Sequence, residues 1–252
     1  MNIYWFQRQD KFDFKSLSEV LEKSGFTGIL FAWSSFGEDY FTHIANKIDP
    51  QTKIKYMVAI RPYTVSPQYL SRTYRSMNNI SENRILVNFV SGWVYDEEKK
   101  VGGILNSVND MSSSIDRSSY LIEYIKTLNE VKKILPDFYI SVTNEFVFNA
   151  SANNKCIIPY SWYKINKFNL EPTRSMIHIS PIIRESQEEI DSIDKSGWPQ
   201  DIEFFTKSQF KEFFYGLERK NFDGILISNN LSQHETNNIV NIIKEITEES
   251  MR

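Results

Sequence analysis

The 252-residue chain contains a single cysteine, Cys156, and only three histidines, His43, His178 and His234. One cysteine excludes an internal disulfide and a multi-cysteine metal site, and three widely spaced histidines argue against a histidine-rich one. We therefore predict no bound metal. No apolar run approaches the roughly 20 residues of a membrane helix. The opening residues, MNIYWFQRQD, lack a basic region before their short apolar stretch, which argues against a signal peptide.

The chain also lacks an excess of charge of either sign. It has 29 Lys and Arg residues against 32 Asp and Glu, a formal net charge of -3. A nucleic-acid-binding protein needs a basic surface to neutralise phosphates, so this class is not expected. The 41% hydrophobic and 24% charged residues are typical of a globular protein. We predict one cytoplasmic domain over residues 1–252, with no membrane partner.

Eight short apolar runs alternate with helical patterns along the chain. Each run is nearly continuous in Val, Ile, Leu, Phe and Tyr, which is typical of parallel strands buried on both faces. The alternation predicts an α/β fold of the (β/α)8 TIM-barrel type. An open doubly wound sheet is the alternative, but it usually has a Gly-rich first turn, which this sequence lacks. The predicted strands are 1–7, 28–33, 55–62, 85–92, 138–144, 155–161, 175–183 and 224–229.

Helical patterns occupy most of the intervening segments. Ser66-Pro67 has the character of a cap followed by proline at the first helical position. Two polar segments, 93–117 and 187–205, do not fit the repeat. We interpret them as active-site loops or lids, with surface excursions as the alternative. The predicted helices are 14–24, 38–47, 67–80, 118–135, 145–151, 208–220 and 232–248.

Functional groups of (β/α)8 barrels sit at the C-terminal ends of the strands. In this chain those ends are rich in hydroxyls, amides and aromatic rings and poor in carboxylates. A paired-carboxylate glycosidase site is therefore not visible, and neither is a nucleophile elbow or a P-loop. Thr143 and Asn144 precede a short helix, whose N-terminus could bind a phosphate.

His178 is the most informative histidine. In the run Met176-Ile177-His178-Ile179-Ser180, alternate residues share one face of a strand. If the aliphatic face meets the helices, His178 and Ser180 point toward the barrel axis. A histidine there could transfer a proton near neutral pH. The alternative is a core histidine held by one hydrogen bond.

The segment 53–92 contains several specific motifs. A strand ends in Arg61-Pro62, a helix starts at Ser66-Pro67, and a second strand runs from Asn83-Arg84 through Asn88 to Ser91-Gly92. In this order they resemble the bacterial luciferase-like, flavin-dependent monooxygenase family, and particularly its alkanesulfonate monooxygenase branch. The agreement extends more thinly over most of the chain, to MNIYWFQ, GFTGILFAWSSFGEDYF, SMIHISPIIRESQEEI and FDGILISN.

The resemblance implies a luciferase-like barrel with shortened loops and an insert after strand four. Reduced FMN, supplied by a separate flavin reductase, would bind at the C-terminal face. It would react with O2 to a C4a-peroxide that oxygenates a small organic substrate. Such enzymes are usually homodimers or larger. Carried over by position, the catalytic residues would be His178 and Ser180, and the cofactor-binding residues Trp5, Phe31, Arg61, Asn88, Ser91, Thr143, Asn144 and Tyr160.

The sequence also departs from the family pattern. Gln7-Arg8-Gln9-Asp10 replace a Thr-His-Gly pattern after strand one, and Gly37 replaces a cysteine. The sulfonate-clamping arginine has no visible counterpart, so an alkanesulfonate is not the expected substrate. The alternatives are a non-catalytic flavin-binding protein and a partner subunit of an active homologue. The family can also have a non-proline cis peptide, which would fall near Val58-Ala59.

Overall fold

The computed structural model describes residues 1–7, 14–32, 40–46, 48–91, 114–130, 138–151, 153–196, 198–199, 201–228 and 232–250. Their strands are β1 Asn2–Gln7, β2 Gly28–Phe31, β3 Lys55–Ile60, β4 Ile85–Phe89, β5 Phe138–Ser141, β6 Lys155–Pro159, β7 Ser175–Arg184, β8 Ile202–Thr206 and β9 Gly224–Ser228. The helices are α1 Phe14–Lys23, α2 Tyr40–Ala45, α3 Pro67–Ile80, α4 Ser114–Glu130, α5 Glu145–Ala150, α6 Tyr160–Lys164, α7 Gln187–Asp191, α8 Lys207–Arg219 and α9 Gln233–Ser250.

Eight parallel strands, β1 to β7 and β9, close into a barrel with helices between them, which confirms the predicted (β/α)8 fold. All eight predicted strands are present. They form where both faces of a strand are covered, since all four residues of β2 and all five of β9 are buried. The described residues contain no cis peptide bond, so the one expected near Val58-Ala59 is absent.

The segment 187–205 differs from the prediction of a loop or lid. It contains α7 and a ninth strand, β8, which pairs in parallel with the second half of β7, from Ser180 to Arg184. The first half of β7 pairs with β9, from Met176 to Ile179. The ten-residue β7 is therefore long enough to serve two strands in turn. Most of the other predicted insert, 93–113, lies outside the described residues, and 114–117 form the first turn of α4.

Helix ends follow the caps in the sequence. The Ser66 hydroxyl accepts a hydrogen bond from the Tyr69 backbone at 3.2 Å, and α3 begins at Pro67 as predicted. Thr206 and Gln209 form a reciprocal capping box that starts α8. None of the helices formed by the described residues is long and apolar enough to cross a membrane.

The contacts group the chain into two compact units. The first consists of Met1–Ile29, Thr52–Ile54 and Ile158–Arg252, and the second of Leu30–Gln51 and Lys55–Ile157. In the first unit, α8 and α9 bury a row of apolar side chains: Phe210, Phe214, Leu217, Ile239, Ile242, Ile243 and Ile246. In the second, Phe89 of β4 packs edge-on against Phe138 and Tyr124, with ring centroids 5.2 and 5.7 Å away. The prediction of one domain over 1–252 stays a prediction.

Candidate active site

The first unit brings three polar side chains together, two from the middle of β7 and one from the C-terminal end of β9. The Nε2 atom of His178 lies 3.1 Å from the Ser228 hydroxyl, which lies 2.6 Å from the Ser180 hydroxyl. The parallel register explains the meeting, because His178 lies opposite Leu226, and Ser180 and Ser228 follow two residues later. The sequence prediction placed His178 and Ser180 on one face of a strand, and the structure brings them to one cluster.

An aromatic ring covers one side of this cluster. Phe6 lies opposite Ser228 in the register between β1 and β9. Its ring centroid is 5.7 Å from that of the His178 imidazole, at an interplanar angle of 35°. The contact fixes one face of the imidazole against an apolar surface. Phe6 was not among the predicted site residues.

Burial divides the cluster into an inner and an outer part. Ser228 and Ser180 are 2% and 7% exposed, whereas His178 is half-buried. Both hydroxyls need partners in such a place, since an unpaired buried polar group is costly. The buried Ser228 hydroxyl therefore holds the Nε2 side of the imidazole, while part of His178 stays exposed.

The second unit has polar pairs at the ends of β4 and β5. The Ser141 hydroxyl lies 3.0 Å from Nδ2 and 3.1 Å from Oδ1 of Asn88, which is 2% exposed. Further along, the Ser91 and Thr143 hydroxyls lie 3.0 Å apart. Ser91 is buried and Thr143 is exposed. These groups form a ladder that runs from the interior to solvent and can both donate and accept hydrogen bonds.

Asn144 has a structural role that the sequence analysis did not assign to it. Its side-chain oxygen accepts a hydrogen bond from the Val147 backbone at 2.9 Å and caps α5. Its amide nitrogen donates to the Ser118 hydroxyl at 2.8 Å. Asn144 thus already binds one of the free backbone N–H groups at the N-terminus of this six-residue helix. The expectation that Thr143 and Asn144 hold a phosphate together stays a prediction.

Arg61 lies directly after β3 and is 5% exposed. Its carbonyl accepts hydrogen bonds from the Thr64 backbone at 3.0 Å and from the Thr64 hydroxyl at 2.7 Å, which closes a short 3₁₀ turn over Pro62–Thr64. The turn thus fixes the backbone of Arg61 directly after a barrel strand, and its side chain is permanently charged.

Trp5 does not share the face of Phe6, because neighbouring side chains of a strand alternate. Its ring packs edge-on against Phe26 at 6.0 Å, and its Nε1 donates to Gln7 at 3.1 Å. The prediction that Trp5 flanks a flavin therefore finds no support in its contacts. Phe31, the other aromatic residue predicted there, is the buried last residue of β2.

Tyr160 belongs to an aromatic cluster formed by α6, β8 and α8. Its ring lies 5.1 Å from Phe213 and 5.8 Å from Phe205. Burial raises the pKa of its phenol, and the nearby Glu203 carboxylate raises it further. These contacts give Tyr160 a packing role, and its predicted cofactor contact stays a prediction.

Cys156 offers no nucleophile. Burial raises the pKa of its thiol to about 12, so the thiolate is scarcely populated near neutral pH.

Sequence reasoning missed Ser228, Phe6 and Ser141. Each becomes visible only when two strands are placed in register, because none has a local motif. The one available signal was that Ser228 lies next to the last residue of the predicted strand 224–229, in the region where barrel enzymes place functional groups.

No family model matches the sequence. Among solved structures, EDTA monooxygenase from Chelativorans sp. BNC1 is 11% identical with a TM-score of 0.69, over 99% of this chain and 94% of that one. The oxygenating constituent of 3,6-diketocamphane monooxygenase from Pseudomonas putida, in complex with FMN, is 9% identical with a TM-score of 0.61, over 97% and 96%.

An F420-dependent secondary alcohol dehydrogenase, in complex with an F420–acetone adduct, is 10% identical with a TM-score of 0.66, over 97% of each chain. These likenesses show the fold. The chain therefore has a barrel of the kind found in enzymes that bind FMN or F420.

Proposed function

We propose that the protein is a luciferase-like monooxygenase that uses reduced FMN and O2 to oxygenate a small organic molecule. The observation that carries the proposal is the half-buried His178 imidazole, joined to Ser228 at the C-terminal end of β9. It stands where barrel enzymes place their functional groups. Support for the oxygenase chemistry comes from structures of the same fold, among which are monooxygenases.

The polar ends of β3, β4 and β5 fit the needs of FMN. This cofactor presents ring carbonyls and N–H groups, ribityl hydroxyls and a phosphate dianion. Asn88, Ser91 and Thr143 carry groups that donate and accept hydrogen bonds. Arg61 carries the positive charge that suits a phosphate. We assign FMN binding to these four residues, with Ser141 orienting the Asn88 amide. None of the five has a carboxylate that would repel the phosphate.

We assign proton handling to His178. An imidazole changes charge near neutral pH, and this one is half-buried, with Ser228 at its Nε2 side. It can therefore give a proton to, or take one from, an oxygen of the substrate. Reduced FMN, when bound, would supply the electrons for the reaction with O2. The phenyl ring of Phe6 and the inner hydroxyls restrict the water that reaches the imidazole from that side.

We also propose the partners that this chemistry requires. A separate flavin reductase would supply the reduced FMN, and the protein would be a homodimer or a larger oligomer. Sedimentation of the purified protein tests the second point. A measured mass equal to that of one chain at micromolar concentration would refute the proposed oligomer.

Cofactor binding is the first test. Anaerobic titration with reduced FMN, and in parallel with reduced F420, should show saturable binding of FMN. Binding of F420 alone would replace the proposed oxygenase with a hydride-transferring enzyme. Absence of binding for both would refute a flavin function.

Turnover is the second test. The protein is supplied with a flavin reductase, NADH, FMN and isotopically labelled O2 and presented with a panel of small ketones, aldehydes and aromatic compounds. Transfer of one labelled oxygen atom to a compound, dependent on the protein, is the expected result. Tight FMN binding without any product would favour the non-catalytic flavin-binding protein.

A further inference from the structure

Ser228 occupies the centre of a three-membered hydrogen-bond chain. Its hydroxyl lies 2.6 Å from that of Ser180 and 3.1 Å from Nε2 of His178. Both distances lie in the range of true hydrogen bonds. Ser228 is 2% exposed, so bulk water does not compete for its hydroxyl.

With the proton of Ser228 shared inside this chain, two arrangements are possible. A serine hydroxyl has one proton and can donate one hydrogen bond. If Nε2 of His178 lacks a proton, Ser228 donates to it and Ser180 donates to Ser228. If Nε2 carries a proton, it donates to Ser228, and Ser228 then donates to Ser180. In that second arrangement the hydroxyl proton of Ser180 points away from the chain.

We propose that Ser228 is a positioning residue that couples the direction of the Ser180 hydroxyl to the nitrogen of His178 that carries the proton. A ligand oxygen beside Ser180 meets a hydrogen-bond donor only when Nε2 is protonated. The chain thus links proton placement on the imidazole to substrate recognition at a neighbouring atom. This role in the reaction rests on the proposed function, while the coupling itself belongs to the folded protein.

The surroundings of the chain strengthen the coupling. His178 lies opposite Leu226 in the register of β7 and β9, and the Phe6 ring covers one face of the imidazole. Leu226 is 2% exposed. In such apolar surroundings a hydrogen bond is stronger, and an unmade one is more costly, than in water. The ladder between β7 and β9 pairs His178 with Leu226 and ends at Ile179 and Ile227, directly before Ser180 and Ser228.

Nitrogen NMR of the imidazole tests the coupling directly. The full-length protein is labelled with ¹⁵N-histidine and studied without flavin, and the His178 signals are assigned by their loss in His178→Gln. In the wild type, the two ring nitrogens should have the separated shifts of one dominant tautomer. In Ser228→Ala the two shifts should move toward each other, and Ser228→Thr should restore them.

A matched control is available on the same strand. Ser175 is also buried, and its hydroxyl, at the first residue of β7, donates to the Glu171 carbonyl at 2.8 Å and not to the Ser228 chain. Ser175→Ala should leave the His178 shifts unchanged. An equal shift in this control, or none in Ser228→Ala, would overturn the proposal.

Ser180→Ala provides a second, independent variant. It leaves the Ser228–His178 pair in place and removes the partner at the other end of the chain. The tautomer balance of His178 should still shift, in a smaller amount than in Ser228→Ala. If Ser228→Ala fails to fold, unchanged ¹⁵N chemical shifts of His178 in Ser180→Ala would by themselves refute the proposed coupling. Because no flavin is present, a protein that never binds FMN would refute the proposed function and leave this result intact.

Discussion

Arg184 and Glu235 form a bidentate ion pair between the last residue of β7 and the first turn of α9. Nη1 of Arg184 donates to one carboxylate oxygen at 2.9 Å and Nη2 donates to the other. The Glu235 side chain is 8% exposed and that of Arg184 is 22% exposed. The strand that carries His178 is thereby joined to the helix that follows the strand carrying Ser228.

Glu235→Gln should destabilise the protein, since it keeps the shape of the side chain and removes its charge. We expect a loss of about 2 kcal/mol in the free energy of unfolding, less than the roughly 3–5 kcal/mol of a fully buried pair, because water reaches Arg184. Urea unfolding measures the loss. Glu19→Gln is the control, since the Glu19–Lys23 pair is exposed at 3.6 Å and should change stability by less than about 1 kcal/mol. Equal losses of stability in Glu235→Gln and Glu19→Gln would show that water screens the Arg184–Glu235 pair as strongly as the exposed pair.

Gly25→Ala should also be strongly destabilising. Gly25 has a φ of +87°, and an added Cβ would lie 2.5 Å from the Thr247 side chain of α9. Both the backbone conformation and the space therefore exclude a larger residue. We expect a loss of at least about 2 kcal/mol, with α9 displaced, measured as a lower thermal midpoint.

Gly216→Ala is the matched control for the same chemical change. Gly216 lies inside α8, and its added Cβ would approach nothing closer than Arg219 at 3.9 Å. Alanine is favoured over glycine in a helix interior by roughly 0.8–1.0 kcal/mol. The two glycine variants should thus move the thermal midpoint in opposite directions. A rise in both would show that the positive φ of Gly25 costs little.

The sequence predicts the fold well where local signals agree with the tertiary structure. The predicted helix 67–80 is the observed α3, because the Ser66 cap and Pro67 fix its start. Strand β8 was not predicted because no local signal separates it from the helix that follows. Its five residues end at Thr206, which also caps α8, so the strand merges with the helix start in the sequence. Only the extended length of β7 provides a partner for it.

The candidate site was harder to predict because its members come from different strands. Alternation within β7 correctly places His178 and Ser180 on one face. Alternation could not fix the phase of β1, since Tyr4 and Trp5 are both buried and the two faces are equally apolar. As a result the predicted site residues included Trp5 and did not include its neighbour Phe6, whose ring contacts His178.

His178→Gln should lower turnover by about 10²–10⁴-fold if the imidazole acts as a general acid or base. FMN affinity should remain nearly unchanged, because the residues assigned to FMN lie on other strands. Single-turnover rates after mixing the reduced complex with O2 and substrate provide the measurement. His234→Gln is the control, since the His234 side chain is 81% exposed. An unaltered rate in His178→Gln would leave the imidazole a packing role alone.

Thr143→Val should weaken FMN by about 1–2 kcal/mol, because it removes a hydroxyl assigned to the cofactor while keeping the shape of the side chain. The exposed hydroxyl of Thr143 lies 3.0 Å from that of Ser91, so the variant also leaves Ser91 without this partner. Calorimetric titration with FMN measures the change. Thr127→Val removes an exposed hydroxyl from α4 in the same unit and should have no effect. Matching titration curves for wild type and Thr143→Val would remove this residue from the site.

The α8–α9 ion-pair network should make stability depend on acid pH. The Glu245 carboxylate accepts a hydrogen bond from Lys207 at 2.9 Å and lies 3.3 Å from Lys211. These contacts, led by the Lys207 hydrogen bond, lower the pKa of Glu245 below its ordinary value of 4.5. A carboxylate with a depressed folded-state pKa contributes stability above its unfolded-state pKa and loses it as the pH falls through the folded-state value.

The difference in unfolding free energy between wild type and Glu245→Gln should therefore be largest near neutral pH and be lost as the pH falls through the lowered folded-state pKa of Glu245. The hydrogen bond to Glu245 raises the pKa of Lys207, and a hydrogen bond to Glu249, with Glu245 also nearby, raises that of Lys211; these contributions are present below the ordinary lysine pKa and are lost as the pH rises beyond it. Urea unfolding at a series of pH values measures both the loss of stability at acid pH and the loss at alkaline pH. Because these groups are partly exposed, added salt should reduce the neutral-pH difference. A difference that stays constant from neutral to acid pH would show that Glu245 stabilises the helix pair through packing and not through its charge.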